Sequence, residues 1–106
     1  MTRSRDFRET VADRVREDPA YVQVLLAEAV QLFVDGEPET AKLVLRNLVN
    51  VTVGFEVLAA DVRKPAKSLH RMLSASGNPT MSNLSAIFAA LQRSLRVEVR
   101  TEVVRI

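Results

Sequence analysis

The sequence predicts an all-α fold of six helices that ends in one terminal β-strand. Apolar residues recur at helical spacing in successive segments of the chain, and from Leu95 the pattern changes to a strict alternation with charged residues. The length of 106 residues leaves room for one domain only. We therefore expect a single domain over 1–106, divided into an N-terminal helical extension (1–36), a helical core (37–93) and a C-terminal strand (94–106).

The N-terminal part of the chain carries two of the predicted helices. Apolar residues at every fourth position indicate a short amphipathic helix over 6–17. Asp18 and Pro19 then begin a second helix, because Asp is a favourable N-cap and Pro fits the first helical turn. This helix is expected to end near residue 35, before Gly36.

Four further helices are predicted in the central part of the chain. Pro38 is expected to start the third helix, and the β-branched stretch 50–53 is expected to end it. The fourth helix is expected over 54–62 and the fifth over 65–74. Thr80 is expected to cap the sixth helix, because its hydroxyl can accept a free N–H of the first turn.

The C-terminal segment from Leu95 to Val104 has the period-two pattern of a half-buried strand. A lone strand cannot satisfy its backbone groups within its own chain, so we expect a second strand from another molecule. Two copies could pair antiparallel about a two-fold axis as a homodimer, or the strand could join the sheet of a partner protein. In the homodimer the expected contact residues are Val97, Val99, Thr101 and Val103.

The charge is unevenly distributed along the chain, although the formal net charge is only +2. Residues 1–40 carry five basic and nine acidic groups, whereas residues 41–106 carry ten basic and four acidic groups. Between Val62 and Val97 there are six basic residues and no acidic one. This asymmetry indicates a surface for a polyanion on the C-terminal part, although a solvated basic face would have the same composition.

The composition excludes several classes of protein. The absence of Cys excludes a disulfide framework and a thiolate metal site, and a single His, His70, excludes a multi-histidine metal cluster. The longest apolar run is far shorter than a membrane span, and no secretory signal is recognisable. No acid/base pair and no phosphate-binding Gly-rich loop is present. We expect a soluble cytoplasmic protein that is not an enzyme and uses no cofactor or metal.

Two short predicted helices joined by a tight connection, 54–62 and 65–74, have the arrangement of a helix-turn-helix. The second helix would be the recognition helix, whose N-terminal end meets base edges and phosphates in the major groove of DNA. Polar and basic residues are concentrated at that end of the second helix. The candidate DNA-binding residues there are Lys64, Lys67, Ser68, His70 and Arg71.

Each candidate is weighed against a purely structural role. Lys67 and Arg71 share one helical face and could form a solvated pair, but without a nearby acid we favour DNA contact. Arg71 is the better reader of a guanine edge. His70 is expected to contact a phosphate or base edge, or simply to lie at the surface. Asn78 could bind a phosphate or, before Pro79, shape a turn.

Several stretches of the chain resemble the addiction-module antidote proteins, which are HigA-like antitoxins with a phage-repressor-type helix-turn-helix. The most specific elements are Leu69-His70-Arg71-Met72-Leu73-Ser74 and Gly77-Asn78-Pro79. The other matching runs are Gly54–Ala59, Lys64–Ser68, Thr80–Leu84, Asp35–Ala41 and Asp6–Thr10. The resemblance therefore covers nearly the whole chain.

This resemblance implies a lambda-repressor-like helix-turn-helix domain with two extra N-terminal helices. It implies double-stranded operator DNA and a small toxin of the RelE/HigB type as partners, and repression of the shared promoter. It also places Ser76 and Asn78 in the loop that contacts the DNA backbone. Two positions depart from the repressor pattern: Arg63 replaces the usual Gly of the turn, and Phe55 replaces a Gln that touches phosphate. We expect Phe55 to pack, and Arg63 to be strained if its φ is positive.

Three functions of different classes remain open. The first is an antitoxin that represses its own operon, and the second is a stand-alone helix-turn-helix regulator without a toxin. The third is a protein-binding inhibitor whose basic helix meets an acidic protein and does not bind DNA. A neighbouring reading frame for a small basic protein would separate the first from the second, and DNA binding at low salt would exclude the third.

Overall fold

The computed structural model describes Asp13 and residues 18–106. The predicted helix over 6–17 therefore lies outside the described residues, apart from Asp13. Over 18–106 the chain forms five helices: α1 (Tyr21–Val34), α2 (Pro38–Val51), α3 (Phe55–Val62), α4 (Ala66–Met72) and α5 (Met81–Leu95). The prediction that these segments are helical is confirmed, with α4 shorter at both ends than expected. The predicted start of α1 is wrong, because the helix begins at Tyr21 with Ala20, and not Asp18, at the N-cap.

The ends of the helices follow local signals in the sequence. Pro38 occupies the first turn of α2, where a missing N–H costs nothing. Gly36 has φ +82°, a conformation that favours Gly and separates α1 from α2. The Thr80 hydroxyl accepts the N–H of Asn83 at 3.1 Å and so caps α5 as predicted.

One hydrophobic core joins all five helices. From α1 it includes Leu25, Leu26 and Ala29, so this helix is part of the same core as α2 to α5 and not a separate layer. The rings of Phe33 in α1 and Phe88 in α5 meet edge to face, with centroids 5.7 Å apart. The largest fully buried side chains are Leu26, Leu45, Leu48, Val49, Leu58, Leu69, Leu73, Ile87 and Leu91.

The C-terminal β-strand predicted from Leu95 to Val104 is wrong, because no strand occurs in the described part of the chain. Leu95 is instead the last residue of α5, and Arg96 turns the chain with φ +57°. The Val97 N–H then donates to the carbonyl of Gln92 at 3.1 Å, while the Val99 N–H donates to the Gln92 side-chain oxygen at 2.8 Å. The segment is held by the end of α5 and not by a second strand.

The alternating sequence of this segment produces alternating burial without strand pairing. Val97 and Val99 pack against the core, whereas Glu98 and Arg100 are exposed and form a salt bridge of 2.7 Å with each other. Residues 101–106 are exposed throughout. A dimer contact through Val97, Val99, Thr101 and Val103 stays a prediction, but the strand on which it was based does not form in this structure.

Among the described residues, no single helix is both long enough and apolar enough to span a lipid bilayer. Only α2 and α3 taken together reach that length and composition, and they are bent by 104° at their junction.

Candidate nucleic-acid interface

The turn between α3 and α4 is built from three residues, Arg63 to Pro65. Arg63 adopts the left-handed conformation, with φ 58° and ψ 46°, and so reverses the chain directly after α3. The Lys64 N–H closes this turn by donating to the carbonyl of Ala59 at 3.1 Å. Pro65 then starts α4, and its carbonyl accepts the Ser68 N–H at 2.9 Å. The connection predicted from the sequence is therefore a tight turn whose left-handed residue is an Arg.

Helix α4 has one buried side and one exposed side. Leu69 is 1% exposed, and Leu73 directly after the helix is 0% exposed. Lys67 and Arg71 lie on the exposed side, and Lys64 is exposed just before the helix. None of these three cations forms a salt bridge or a side-chain hydrogen bond with another described residue. Their charges therefore face solvent without an intramolecular partner.

Two other candidates on α4 are partly engaged within the fold. The imidazole of His70 is stacked on the ring of Phe55, although His70 itself is exposed. Phe55 is only 5% exposed, so it packs as expected and cannot reach a phosphate. Ser68 is half-buried, whereas Lys67 is exposed.

Other cations of the C-terminal half differ from those of α4. Arg93 in α5 forms a salt bridge of 3.1 Å with Asp61 in α3. Arg100 pairs with Glu98, as described above. The turn residues Arg63 and Lys64 and the α4 residues Lys67 and Arg71 therefore form one group of exposed cations without a side-chain partner among the described residues, and Arg96 and Arg105 after α5 are two more.

The loop after α4 folds back over the end of that helix. The Ser74 hydroxyl donates to the carbonyl of Arg71 at 2.7 Å. A Cβ placed on Gly77 would lie only 2.1 Å from that same carbonyl oxygen, so the loop backbone approaches the helix as closely as Gly allows. Ser76 and Asn78 are exposed on this loop. The two loop candidates thus lie on a loop that is held close to the C-terminal end of α4.

Two residues important for this loop were missed by the sequence analysis. Lys42 in α2 is buried, and its Nζ donates to the carbonyls of Ala75 and Gly77. Arg46, one turn further along α2, donates from Nη1 to the carbonyl of Leu73 at 3.0 Å. The sequence did contain a signal, because Lys42 is spaced three residues before the core residue Leu45 on the apolar face of α2. A cation at such a position must find a polar partner inside the fold.

The chemistry available at this surface is that of exposed cations and hydrogen-bond donors. A guanidinium such as that of Arg71 can donate two hydrogen bonds to a guanine edge, while a Lys ammonium acts as a point charge towards phosphate. Among the described side chains, no three potential metal ligands come together.

Compared with known proteins, the chain matches no family model, no curated protein and no solved structure.

Proposed function

We propose that this chain is a sequence-specific DNA-binding antitoxin of a type II toxin–antitoxin module, acting in the cytoplasm. It represses its own operon and neutralises a small toxin of the RelE/HigB type. The observation that supports DNA binding is the exposed face of α4, where Lys67 and Arg71 have no intramolecular partner while Leu69 anchors the opposite side in the core. An unpaired cationic face on the second helix of a tight helix pair suits the major groove.

The antitoxin part of the proposal is supported by the sequence resemblance. The elements Leu69–Ser74 and Gly77–Pro79 are its most specific parts, and they form the end of α4 and the loop after it. We further propose that the protein binds its operator as a homodimer. Two copies would then present two α4 helices to successive half-sites, roughly 34 Å apart on one face of the duplex.

Fluorescence anisotropy with the DNA upstream of the chain's own reading frame tests the DNA-binding part. The double variant Lys67→Ala/Arg71→Ala should lose most of its affinity, with about 1–3 kcal/mol from Arg71 if it reads a base. Lys67→Ala alone should reduce the slope of log K against log salt by about 1. The matched control is Arg93→Ala/Arg100→Ala, which removes the same charge from cations already paired with carboxylates.

Equal affinities of the two double variants, with both folded by circular dichroism, would reject α4 as the DNA-binding surface. The partner is tested by co-expression with the product of the neighbouring reading frame. DNA binding without such a partner would favour the stand-alone regulator, and partner binding without DNA binding would favour the inhibitor. Light scattering tests the dimer, since a monomer at tens of micromolar would contradict it.

A further inference from the structure

Lys42 is the only buried charged residue in the described part of the chain, with 5% of its surface exposed. It forms no salt bridge with a described carboxylate, and its Nζ donates to the carbonyl oxygens of Ala75, at 3.3 Å, and Gly77. A buried ammonium is costly unless it is hydrogen-bonded, so these two bonds account for the position of the side chain. The loop after α4 is therefore attached to α2 by a charged anchor.

The direction of these two carbonyls determines the direction of two N–H groups. In a planar trans peptide the C=O and the N–H of one unit point in opposite directions. The Ala75 carbonyl shares its unit with the Ser76 N–H, and the Gly77 carbonyl shares its unit with the Asn78 N–H. Because both carbonyls point towards Lys42 in the interior, both N–H groups point away from it, towards solvent.

The N–H groups of Ser76 and Asn78 have no acceptor among the described residues. Both residues are exposed, and both lie on the loop directly after α4, whose backbone closely approaches the Arg71 carbonyl at Gly77. An ammonium that binds a carbonyl also polarises that peptide unit, which makes the opposite N–H a stronger donor. The loop therefore offers two polarised main-chain donors directly after the helix that is proposed to bind DNA.

We infer that Lys42 is a positioning residue for DNA binding: it holds the loop so that the main-chain N–H groups of Ser76 and Asn78 bind phosphate oxygens of the DNA backbone. This inference rests on the proposed function. Lys42 itself does not reach the DNA, because it lies beneath the loop with its ammonium bound to carbonyls. Arg46 supports the same arrangement by holding the Leu73 carbonyl at the end of α4.

The inference is tested with Lys42→Met, which keeps the length of the side chain but removes its donor. On unmodified upstream DNA this variant should bind about tenfold more weakly, the value of one lost hydrogen bond to a charged group. Its salt slope should equal that of the wild type, because a buried cation releases no counterions. Ile87→Val is the control for a small loss of stability, since this buried residue lies in α5 and should leave DNA affinity unchanged.

The second measurement replaces single DNA phosphates by neutral methylphosphonates. The wild type should bind DNA about tenfold more weakly when the replaced phosphate is one of the one or two that accept hydrogen bonds from the loop N–H groups. The DNA affinity of Lys42→Met should be insensitive to the same replacements. Lys42→Arg, which keeps a donor, should recover part of the affinity. A Lys42→Met protein that is folded and binds as well as the wild type, or that keeps full sensitivity to those methylphosphonates, overturns the inference.

A test on the wild type alone covers the case in which Lys42→Met fails to fold. In a ¹⁵N NMR titration with the duplex, the amide resonances of Ser76 and Asn78 should move together with those of α4. If α4 responds and these two amides do not, the inference is wrong while the proposed function stands. If no resonance responds at low salt, the proposed function has failed and the role of Lys42 fails with it.

Discussion

The imidazole ring of His70 lies flat against the phenyl ring of Phe55, with centroids 4.0 Å apart and 22° between the ring planes. Phe55 is the first residue of α3 and is buried, whereas His70 lies on the exposed side of α4. The stack therefore joins the start of one motif helix to the outer face of the next. One face of the imidazole is used within the fold, which leaves its edge for the DNA contact predicted at this position.

A double-mutant cycle with Phe55→Leu and His70→Ala should measure this stack. We expect a coupling free energy of about 0.5–1.5 kcal/mol, the usual range for stacked rings beyond their burial. Urea unfolding of the four proteins provides the measurement. The cycle of Phe55→Leu with Arg71→Ala is the control and should be additive, because the Arg71 side chain forms no interaction with that ring. Additivity in both cycles would mean that the stack does not stabilise the fold.

Replacing Arg63 by Gly should stabilise the protein by about 0.5–1 kcal/mol. Arg63 has φ 58°, which is unfavourable for a residue with a Cβ, and Gly removes that cost at the expense of more unfolded-state entropy. Arg96→Gly is a matched variant, because Arg96 has φ 57° at the end of α5. The melting temperature should rise for both variants. A lower melting temperature for Arg63→Gly would show that its side chain contributes more than its backbone costs.

The same two variants should differ in DNA binding. Arg63 lies in the turn before α4, whereas Arg96 lies at the far end of α5. If the turn follows the phosphate backbone, Arg63→Gly reduces affinity and lowers the salt slope by about 1, while Arg96→Gly changes neither. The anisotropy titration described for Lys67 gives both quantities.

Gly77→Ala should weaken DNA binding more than its cost in stability explains. The added Cβ would lie 2.1 Å from the Arg71 carbonyl oxygen and 2.5 Å from that of Met72, so the loop must move away from α4. Overpacking of this kind costs about 1–3 kcal/mol. Gly36→Ala is the control, because it costs about 1–2 kcal/mol through its φ of +82° but meets no atom within 4 Å.

Both glycine variants are measured by urea unfolding and by DNA anisotropy. Gly36→Ala should lose stability and keep its affinity for DNA, whereas Gly77→Ala should lose both. Equal DNA affinities of the two folded variants would show that the position of the loop does not matter for binding.

The helical part of the fold could be predicted because its signals are local. Pro38, Gly36 and Thr80 act within one turn of their own positions, and the structure places helix boundaries at each of them. The C-terminal strand could not be predicted correctly, because alternation reports only which side chains are buried. Val97 and Val99 satisfy that pattern against the helices of their own chain, and the pattern contains no information about a pairing partner.

The candidate site, like the fold, could be predicted from the sequence only in part. Lys67 and Arg71 were found because cations on the polar face of an amphipathic helix are exposed, as the structure shows for both. Lys42 was missed because a cation is assigned to solvent by its type, although its spacing from Leu45 places it on the apolar face of α2. Its partners are two loop carbonyls 33 and 35 residues away. Contacts over such separations depend on how the helices pack, which local spacing does not encode.

Removing α1 should unfold α2 to α5 as well, although the resemblance implies that the N-terminal helices are an addition to the helical core. Leu25 and Leu26 are 7% and 2% exposed, and both belong to the core that α2 to α5 share. Each buried Leu contributes about 1.5–3 kcal/mol, so the two together approach the stability of a small domain. A fragment that begins at Glu37 should therefore show no cooperative urea transition and no DNA binding. In the full chain, Leu26→Ala should cost about 2–5 kcal/mol, while Glu28→Ala on the exposed side of α1 should stay within about 0.5 kcal/mol. A fragment from Glu37 that unfolds cooperatively and still binds DNA would contradict this, and α1 would then be free to serve a partner instead of the core.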